Sequence, residues 1–337
     1  MLKVKYHYML LLNTIKNKTN KNFPIWIMRQ AGRHLPEYQA LKKQTGSLDA
    51  MFMDPKIATE VTLQPIRRYD MDAAVIFSDL LMIHRALGQS VSYDPLTVGK
   101  FDEKMLETDL KTFHSRLTHT YSVIKSVRAQ LPKDKAVLGF VGAPYTILKY
   151  MLKIDKPQDV DAFTRNYYLQ KLTDYIAEHA NAQISMGADA IQIFDSWAGD
   201  CDEDHMIDCV FEPNLQLIEK IREKHPNTPI IAFPRMIGKQ VKQFCHWCKP
   251  DVISLSPDVE PRWAAKHLKD FVMQGGLDPE TLMMSKTEVI RRTLEYCKSM
   301  KKCSYIMNLG HGILPTTPIE NVETMVATIK SQRKLGY

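Results

Sequence analysis

The stretch Pro24-Ile25-Trp26-Ile27-Met28 is a short apolar run, and Arg29-Gln30-Ala31-Gly32-Arg33 follows it without a break. Two permanently charged arginines therefore stand where a buried strand would reach the surface of a sheet. The same order, a β-prone apolar run and then glycine or polar residues, recurs along the chain. The eight runs of this kind cover residues 24–28, 73–77, 136–141, 190–194, 229–233, 252–255, 271–274 and 305–308.

These runs are apolar throughout instead of alternating with polar residues, which is typical of parallel strands that are buried on both faces. Eight such strands separated by helical patterns predict an α/β fold, a single-domain (β/α)8 TIM barrel over residues 23–337. A doubly wound open sheet is the alternative fold. No G-x-G-x-x-G motif follows the first run to support that alternative.

Helix signals fill several of the intervals between the runs. Asp54-Pro55 opens a predicted helix that continues through Arg68. Apolar residues also recur at helical spacing over residues 102–130 and 159–185. Because proline lacks the amide hydrogen of the helical ladder, Pro65 should kink or interrupt the first of these helices.

The composition is that of an ordinary globular chain, 45% hydrophobic and 25% charged, with a net charge of +7. Residues 1–22 carry several lysines and no acidic residue, while the rest of the chain is nearly balanced in charge. This balance argues against a nucleic-acid binder, which would carry a basic stripe on its folded body. The apolar residues 9–12 are too few to span a membrane. Residues 1–22 are therefore predicted to be a flexible basic leader of a cytoplasmic protein.

Six cysteines fall in the second half of the chain, at positions 201, 209, 245, 248, 297 and 303. In a chain of this size without a signal peptide they are predicted to be free thiols. Cys245-His246-Trp247-Cys248 has zinc-ligand spacing, but no second compact pair completes four ligands. Phe244 and Trp247 favour a helix face that packs on the core, so no metal site is predicted.

Functional residues in barrel enzymes follow the carboxyl ends of the strands. The residues that follow the eight runs here are polar or glycine-rich, which predicts a small-molecule site at one end of the barrel. They include Arg29, Arg33, Ser78, Asp79, Tyr145, Tyr150, Asp195, Ser196, Arg235, Ser256, Asp258, Asp278 and His311.

Several of these candidates also have an ordinary structural explanation. Arg33 could pair with Glu37 on the surface, where ion pairs are common and weak. Asp79 could cap the next helix, although Ser78 could do so equally well and leave Asp79 free. His311 stands between two glycines and could either approach a ligand closely or complete a turn.

Taken by themselves, the candidates include arginines and a carboxylate but no P-loop, dinucleotide fingerprint, metal-ligand set or nucleophile elbow. Arginine forks suit carboxylates and phosphates, so the cations indicate an anionic substrate. Asp79 could balance a positive charge that develops during the reaction. The pattern favours a cofactor-free lyase or isomerase that acts on a carboxylate-bearing molecule.

Longer motifs resemble one known family. Residues 24–38, PIWIMRQAGRHLPEY, closely resemble the N-terminal signature of the uroporphyrinogen decarboxylase family, and residues 139–151, GFVGAPYTILKYM, resemble its second signature. Similar motifs follow in the family's order, so that the resemblance covers about residues 24–332. They are IFSDLL (76–81), FDSWAG (194–199), QGGLDP (274–279) and NLGHGILP (308–315).

The resemblance implies a single-domain (β/α)8 barrel that forms a homodimer and acts as a carboxy-lyase of haem and porphyrin biosynthesis. Enzymes of this family remove carbon dioxide from the four acetate side chains of uroporphyrinogen III, which leaves methyl groups and gives coproporphyrinogen III. They use neither a metal nor an organic cofactor, because protonation of the pyrrole ring makes the electron sink within the substrate itself. No nucleic-acid or membrane partner is implied.

The resemblance also implies roles for individual residues. Asp79 would lie at the centre of the macrocycle, accept its pyrrole N–H groups and stabilise the cationic intermediate. Arg29 and Arg33 would hold substrate carboxylates, and Arg29 would assist proton transfer, although a guanidinium is a poor general acid. The predicted substrate contacts are Arg29, Gln30, Ala31, Gly32, Arg33, Asp79, Tyr150, Ser196 and His311.

Three residues near these contacts depart from the family's usual pattern. His34 stands where tyrosine is common, and Gly276 stands where asparagine is usual. Lys149 replaces a smaller residue beside Tyr150. These departures bear on rates or on substrate orientation more than on the identity of the enzyme.

Two other functions stay open at this point. Related barrels are corrinoid- or thiol-methyltransferases that bind zinc through a His-x-Cys near a strand end, and His246-x-Cys248 has that spacing within a predicted helix. A tetrapyrrole carrier would bind its ligand without turnover. For a carrier, the substitution Asp79→Asn would leave the function unharmed.

Overall fold

The computed structural model describes residues 9–19 and 22–334. Its strands are β1 (Ala73–Val75), β2 (Val91–Tyr93), β3 (Leu96–Val98), β4 (Ala136–Gly142), β5 (Ala190–Asp195), β6 (Ile230–Pro234), β7 (Val252–Leu255), β8 (Val272–Gly275) and β9 (Tyr305–Ile306). Seven of them form one curled sheet in the order β1-β4-β5-β6-β7-β8-β9. All neighbours in this sheet are parallel, whereas β2 and β3 form a separate antiparallel hairpin.

The first apolar run completes the ring between β9 and β1. Ile25 pairs in parallel with Met307, and the Met307 amide donates to the Pro24 carbonyl at 2.8 Å. On the other side, the amide of Asp72 donates to the Ile25 carbonyl at 2.9 Å. The run thus takes the eighth strand position, and the predicted TIM barrel is confirmed. The predicted strand 24–28 is hydrogen-bonded as a strand only at Ile25.

The helices pack around this ring. They are α1 (Leu10–Asn17), α2 (Pro36–Thr45), α3 (Leu48–Met53), α4 (Pro55–Tyr69), α5 (Met82–Leu87), α6 (Leu110–Arg116), α7 (Thr118–Gln130), α8 (Pro144–Leu152), α9 (Ala162–Ser185), α10 (Glu212–Lys224), α11 (Val241–Cys248), α12 (Pro261–His267), α13 (Lys286–Met300) and α14 (Ile319–Lys334). None of the described helices combines the length and the apolar character needed to cross a membrane.

The helix predictions are confirmed in part. The helix predicted to open at Asp54-Pro55 is α4. Asp54 caps it, since its Oδ1 accepts hydrogen bonds from two amides of the first turn. The helix continues without interruption through Pro65, so the interruption is wrong, while the kink stays a prediction. The helix predicted over 159–185 is α9. The interval 102–130 is instead divided into a 3-10 turn at Glu103–Glu107, α6 and α7.

The inside of the ring is a packed core and not a channel. The side chains of Ala73, Leu138 and Val272 belong to an inner apolar cluster that is distinct from the layer between strands and helices. Gln274 forms a polar layer across this core. Its Oε1 accepts from Trp26 Nε1 at 2.8 Å, and its Nε2 donates to Gln192 Oε1 at 3.1 Å and to Ser254 Oγ at 2.7 Å. The buried polar groups therefore satisfy one another.

Part of the predicted flexible leader is structured, and the prediction is wrong for residues 10–17. They form α1, whose Leu11, Leu12 and Ile15 are buried in the inner cluster together with the first residues of β1, β4, β5, β7 and β8. The helix thus covers the amino-terminal end of the barrel, because the apolar ends of the strands would otherwise face water. Residues 1–8 and 20–21 of the predicted leader lie outside the described residues.

Candidate active site

A cleft of about 540 Å³ lies at the opposite end of the barrel, where the strands end. Its floor is apolar and includes Trp26, Val75, Phe140, Phe194 and Phe233 from inside the ring. Each residue predicted from the sequence to contact a substrate lines this cleft. These residues are Arg29, Gln30, Ala31, Gly32, Arg33, Asp79, Tyr150, Ser196 and His311.

Arg29 occupies a turn with a left-handed backbone, at φ 62°. Its side chain lies along the backbone of Gly312, where an added Cβ atom would come within 2.5 Å of Arg29 Cδ. A side chain at position 312 would therefore displace the arginine. This close approach explains why a glycine follows His311 at the end of the last strand.

Neither Arg29 nor Arg33 forms an ion pair with any described residue. Glu37, the alternative partner of Arg33, instead binds the Nε and Nη2 atoms of Arg68 at 2.8 and 2.9 Å. The surface-pair explanation of Arg33 is thus wrong. Both guanidinium groups are exposed to the cleft and free to bind an anion.

Gln30 supports the turn between the two arginines. Its Oε1 accepts from the Ile27 amide at 3.0 Å, and its Nε2 donates to the Ala73 carbonyl at 2.9 Å. The side chain is 1% exposed. Gln30 therefore fixes the turn to β1, and its side chain is already occupied by these two hydrogen bonds.

Asp79 lies in the loop after β1 and is half-buried in the cleft. Its Oδ1 accepts hydrogen bonds from the Leu81 amide at 2.8 Å and from the Tyr93 hydroxyl at 3.2 Å. The helix α5 that follows has no side-chain capping hydrogen bond, so neither Ser78 nor Asp79 caps it, and the Leu81 amide closes a turn on Asp79 before the helix begins. Asp79 Oδ2 has no hydrogen-bond partner among the described residues. One carboxylate oxygen is thus fixed and the other is available.

The surroundings of Asp79 act on its pKa in opposite directions. Burial raises the pKa above the ordinary value for aspartate, and this is the largest influence. The hydrogen bonds from Leu81 and Tyr93 and the positive charge of Arg29 lower it. The net effect is a raised pKa, and the two donors and Arg29 oppose the effect of burial.

Tyr150 lies at the carboxyl end of α8, across the cleft. Its ring meets the ring of Trp197 edge to face with centroids 5.8 Å apart. Lys149, one of the departures from the family pattern, places Nζ 4.9 Å from the centre of the Trp197 ring and pairs with Asp200 at 2.6 Å. Lys149 thus ties the loop after β5 to α8 without entering the cleft itself.

A buried carboxyl group supports the same loop from behind. Asp195 Oδ1 accepts from the Thr146 hydroxyl at 2.7 Å, and its Oδ2 accepts from Asn214 Nδ2 at 3.0 Å. The Thr146 hydroxyl oxygen in turn accepts from the Trp197 amide at 3.2 Å. Burial raises the pKa of Asp195 to about 6. Asp195 does not line the cleft and orients residues that do.

Arg235 follows β6, at a strand end predicted from the sequence, where the sequence assigns the arginine no role. It lines the cleft, forms no ion pair with a described residue, and donates from Nη1 to the Ser196 carbonyl at 3.2 Å. Burial and the charges of Arg235 and Arg29 lower the pKa of His311. These influences favour the neutral imidazole form of His311. Arg235 thus joins Arg29 and Arg33 as a cleft arginine that has no ion-pair partner within residues 9–19 and 22–334.

Other strand-end candidates remain outside the cleft. Tyr145 is fully buried in the core. Ser256 Oγ accepts from the Met236 amide at 2.8 Å, and Asp258 Oδ2 accepts from the Gly238 amide at 3.0 Å. These two residues therefore shape the loop that carries Arg235.

Two further departures from the family pattern have a structural basis. Gly276 has φ 92°, and a Cβ atom there would lie 2.0 Å from the Tyr296 hydroxyl, so Tyr296 fills the space that a side chain would need. His34 is buried and stacks on Tyr69 with centroids 6.1 Å apart. Burial lowers the pKa of His34 to about 4.

The residues with zinc-ligand spacing lie in α11. Cys245 and Cys248 are buried, and Cys248 Sγ donates to the Phe211 carbonyl at 3.3 Å. Among residues 9–19 and 22–334, no group of three histidine, cysteine or acidic side chains is placed to hold a metal ion. Neither His246 nor Cys248 lines the cleft.

Known structures with the same fold include a methyltransferase from Methanosarcina mazei. It superposes with a TM-score of 0.75 at 15% identity, over 95% of this chain and 97% of that protein. A B12-independent methionine synthase from Shewanella sp. W3-18-1 superposes with a TM-score of 0.54 at 13% identity, over 94% of this chain and 96% of the other. At these identities the similarity extends to the fold alone.

Sequence similarity is more specific. Uroporphyrinogen decarboxylase of Rickettsia africae (strain ESF-5) is 36% identical over 333 residues, which cover 95% of this chain and 96% of that protein. The enzyme of the same name from Orientia tsutsugamushi (strain Ikeda) is 36% identical over 330 residues, 94% of this chain and 96% of the other. The family described as Uroporphyrinogen decarboxylase (URO-D) matches residues 8–332. The predicted enzyme class, a carboxy-lyase, is thereby confirmed, and the chain belongs to the uroporphyrinogen decarboxylase family.

Proposed function

We propose that the protein decarboxylates the four acetate side chains of uroporphyrinogen III and releases coproporphyrinogen III. The observation that carries this proposal is the charge pattern of the cleft. Three arginines that form no ion pair with a described residue line the same cleft as one half-buried carboxylate, Asp79. A substrate with many carboxylates around a ring of N–H donors is complementary to this pattern.

The arginines provide the binding energy and the orientation. Arg29 and Arg33 approach the cleft from the turn after the first strand, while Arg235 approaches from the loop after β6. Each guanidinium can hold a carboxylate through two parallel hydrogen bonds. Cations on two walls fix the plane of a macrocycle, so its centre is held over the apolar floor and near Asp79.

Asp79 supplies the catalytic electrostatics. In the proposed complex, Oδ2 accepts pyrrole N–H groups, because Oδ1 is already held by Leu81 and Tyr93. A proton added to the pyrrole ring makes that ring cationic, and the ring then accepts the electron pair that the departing carbon dioxide leaves behind. The Asp79 carboxylate stabilises the cation in a poorly solvated site, where a fixed charge is most effective.

The remaining residues orient the reacting acetate. Arg29 is the cation whose charge acts on Asp79, so we assign it the carboxylate that reacts and assistance with the proton transfer that follows. The lowered pKa of His311 favours its neutral form, and burial raises the pKa of Tyr150, which favours the protonated hydroxyl. Both can form hydrogen bonds with substrate oxygens without adding charge.

The electron sink in this scheme is the protonated pyrrole, so the proposal needs neither a metal nor an organic cofactor. On the family resemblance alone, we further propose a cytoplasmic homodimer that has no nucleic-acid partner. Gel filtration with light scattering tests the oligomeric state. A single species with the mass of one chain would contradict the dimer.

Anaerobic incubation with freshly reduced uroporphyrinogen III tests the reaction. After oxidation, chromatography separates the porphyrins by their number of carboxylates. We expect products with seven, six, five and then four carboxylates to accumulate in turn. Unchanged substrate bound by a folded protein would favour the carrier, and methyl transfer to a thiol or corrinoid acceptor would favour the methyltransferase.

A further inference from the structure

The β2–β3 hairpin, Val91–Tyr93 and Leu96–Val98, stands apart from the barrel sheet and lies beside the cleft. Leu96 at its tip lines the cleft and is 50% exposed. Tyr93, which pairs directly with Leu96 across the hairpin, is 9% exposed, and its hydroxyl donates to Asp79 Oδ1 at 3.2 Å. The hairpin thus places a hydrogen-bond donor behind the carboxylate of the proposed reaction.

Both the ring and the backbone of Tyr93 are fixed by neighbouring residues. Its ring meets Phe52 at a centroid distance of 5.0 Å, and the Arg85 guanidinium lies 5.3 Å from the ring centre. Its amide donates to Asp49 Oδ2 at 3.3 Å, while Arg85 Nη2 pairs with Asp49 Oδ1 and donates to the Val91 carbonyl at 2.5 Å. A side chain fixed in this way presents its hydroxyl group in one position.

From this geometry we infer that Tyr93 is a positioning residue: its hydroxyl fixes the orientation of the Asp79 carboxylate. The inference rests on the proposed function, in which Asp79 acts as an anion. Tyr93 occupies Oδ1 and leaves Oδ2 for the substrate. Because a donor to the carboxylate favours the charged form, the hydroxyl opposes the effect of burial on the pKa of Asp79.

Among the described residues, the titratable side chains that interact with Asp79 are Arg29, Tyr93 and Tyr150. Arg29 lowers the Asp79 pKa by its charge, the Leu81 amide and Tyr93 hydroxyl lower it by hydrogen bonds, and burial raises it. Burial and the neighbouring Asp79 charge raise the pKa of Tyr93 itself, so its hydroxyl remains a donor over the whole working range of pH. Removing this hydroxyl should therefore raise the Asp79 pKa.

The test compares Tyr93→Phe with Tyr175→Phe. Tyr93→Phe keeps the ring contacts and removes only the hydroxyl. Tyr175→Phe also removes a buried hydroxyl, one that donates to the Leu106 and Thr108 carbonyls at 3.1 and 2.5 Å, but it lies outside the cleft. Each variant should lose stability equal to about one hydrogen bond. A change in catalysis that appears only in Tyr93→Phe therefore reflects positioning of Asp79 and not a loss of stability.

For Tyr93→Phe we expect kcat/KM to fall about 3- to 10-fold at pH 7 and its acidic limb to move to higher pH. The matched control, Tyr175→Phe, should keep the wild-type profile. In an Asp79→Asn background, Tyr93→Phe should have no further effect on the residual rate. Identical pH profiles for wild type and Tyr93→Phe would overturn the inference.

A second readout does not depend on turnover. The pKa of Asp79 can be followed by carbon-13 NMR of protein labelled at the aspartate carboxyl groups, with the signal assigned from Asp79→Asn. Tyr93→Phe should raise this pKa, and an unchanged value would contradict the inference. If Tyr93→Phe raises the Asp79 pKa but the wild-type protein does not decarboxylate uroporphyrinogen III, then the proposed function fails and the role of Tyr93 stands.

Discussion

The two ends of the barrel are built from opposite kinds of residue. At the amino-terminal end, α1 buries Leu11, Leu12 and Ile15 against the beginnings of the strands. At the carboxyl end, an open cleft is lined by Asp79 and by arginines that pair with no acidic residue in the described part of the chain. The first end gains free energy from removing apolar surface from water. The second leaves charges unsatisfied, which lowers stability and provides for a ligand. Stability and chemistry are thus separated along the barrel axis.

The largest effect on this separation should come from Asp79→Asn. We expect kcat to fall about 100- to 1000-fold, because the cationic intermediate loses its counter-charge. The free energy of unfolding should stay the same or rise slightly, since burial already disfavours the charged form. Anaerobic turnover assays and urea unfolding measure the two quantities. Asp174→Asn, in a surface pair with Lys220, is the matched control and should change neither.

At the opposite end, Leu11→Ala should lower the stability of the fold and leave kcat nearly unchanged. Removing a fully buried leucine side chain leaves a cavity and should lower the free energy of unfolding by about 2–4 kcal/mol. The kcat value at 25 °C should stay within about twofold of wild type. Leu10→Ala, at a half-buried position of the same helix, should cost less. A large loss of kcat in folded Leu11→Ala would contradict the separation of stability and chemistry along the barrel axis.

The pH dependence of stability provides a further test of the comparison. His34 is a buried histidine at the functional end, and its protonation is disfavoured in the folded chain. Its pKa is about 4 in the folded chain, below the ordinary 6.5, so the unfolded chain binds the proton first as pH falls. The protein should therefore lose about 1–3 kcal/mol of stability through His34 between pH 6.5 and 4.

His34→Phe should remove that part of the loss, which urea unfolding at a series of pH values would detect as a flatter profile. His246→Phe, at an exposed histidine of α11, is the control and should leave the profile as in wild type. If His34→Phe keeps the full wild-type slope below pH 6.5, then His34 does not carry the predicted charge penalty.

The smallest of these effects should come from Arg235→Met. We expect KM for uroporphyrinogen III to rise about 10-fold, with a smaller change in kcat, because one of several carboxylate contacts is lost. Arg235→Lys should recover part of the affinity through its charge. Arg67→Met, which breaks a surface pair with Glu60, should have no effect on KM. Equal effects of Arg67→Met and Arg235→Met would contradict a binding role for Arg235.

Much of the barrel could be predicted from the sequence, because a buried parallel strand needs a continuous apolar run and the chain contains eight such runs. The strand ends also follow from the fold, so Arg29, Asp79 and His311 could be placed together before any coordinates. The first run was harder to describe, since it pairs as a strand only at Ile25. Its remaining contacts depend on side chains from other elements, such as Asn308 Oδ1, which accepts from the Met28 amide at 3.0 Å.

The features that the sequence did not predict depend on distant contacts. The strands of the β2–β3 hairpin are three residues each, too short for a periodic pattern, and the hairpin is held by Asp49 and Arg85. The helix α1 is short, and isolated helices of this length are unstable in water. It is stabilised by the inner cluster, which local propensity cannot reveal.

The central claim is that the cleft removes carbon dioxide from acetate groups alone. It can be tested with uroporphyrinogen III labelled with carbon-13 in either the acetate or the propionate carboxyl groups, by measuring labelled carbon dioxide under anaerobic conditions. The account predicts that labelled gas is released from the acetate-labelled substrate until all four acetates are consumed, and that none is released from the propionate-labelled one. Release from propionate, or no release from a folded protein that binds the substrate, would contradict it.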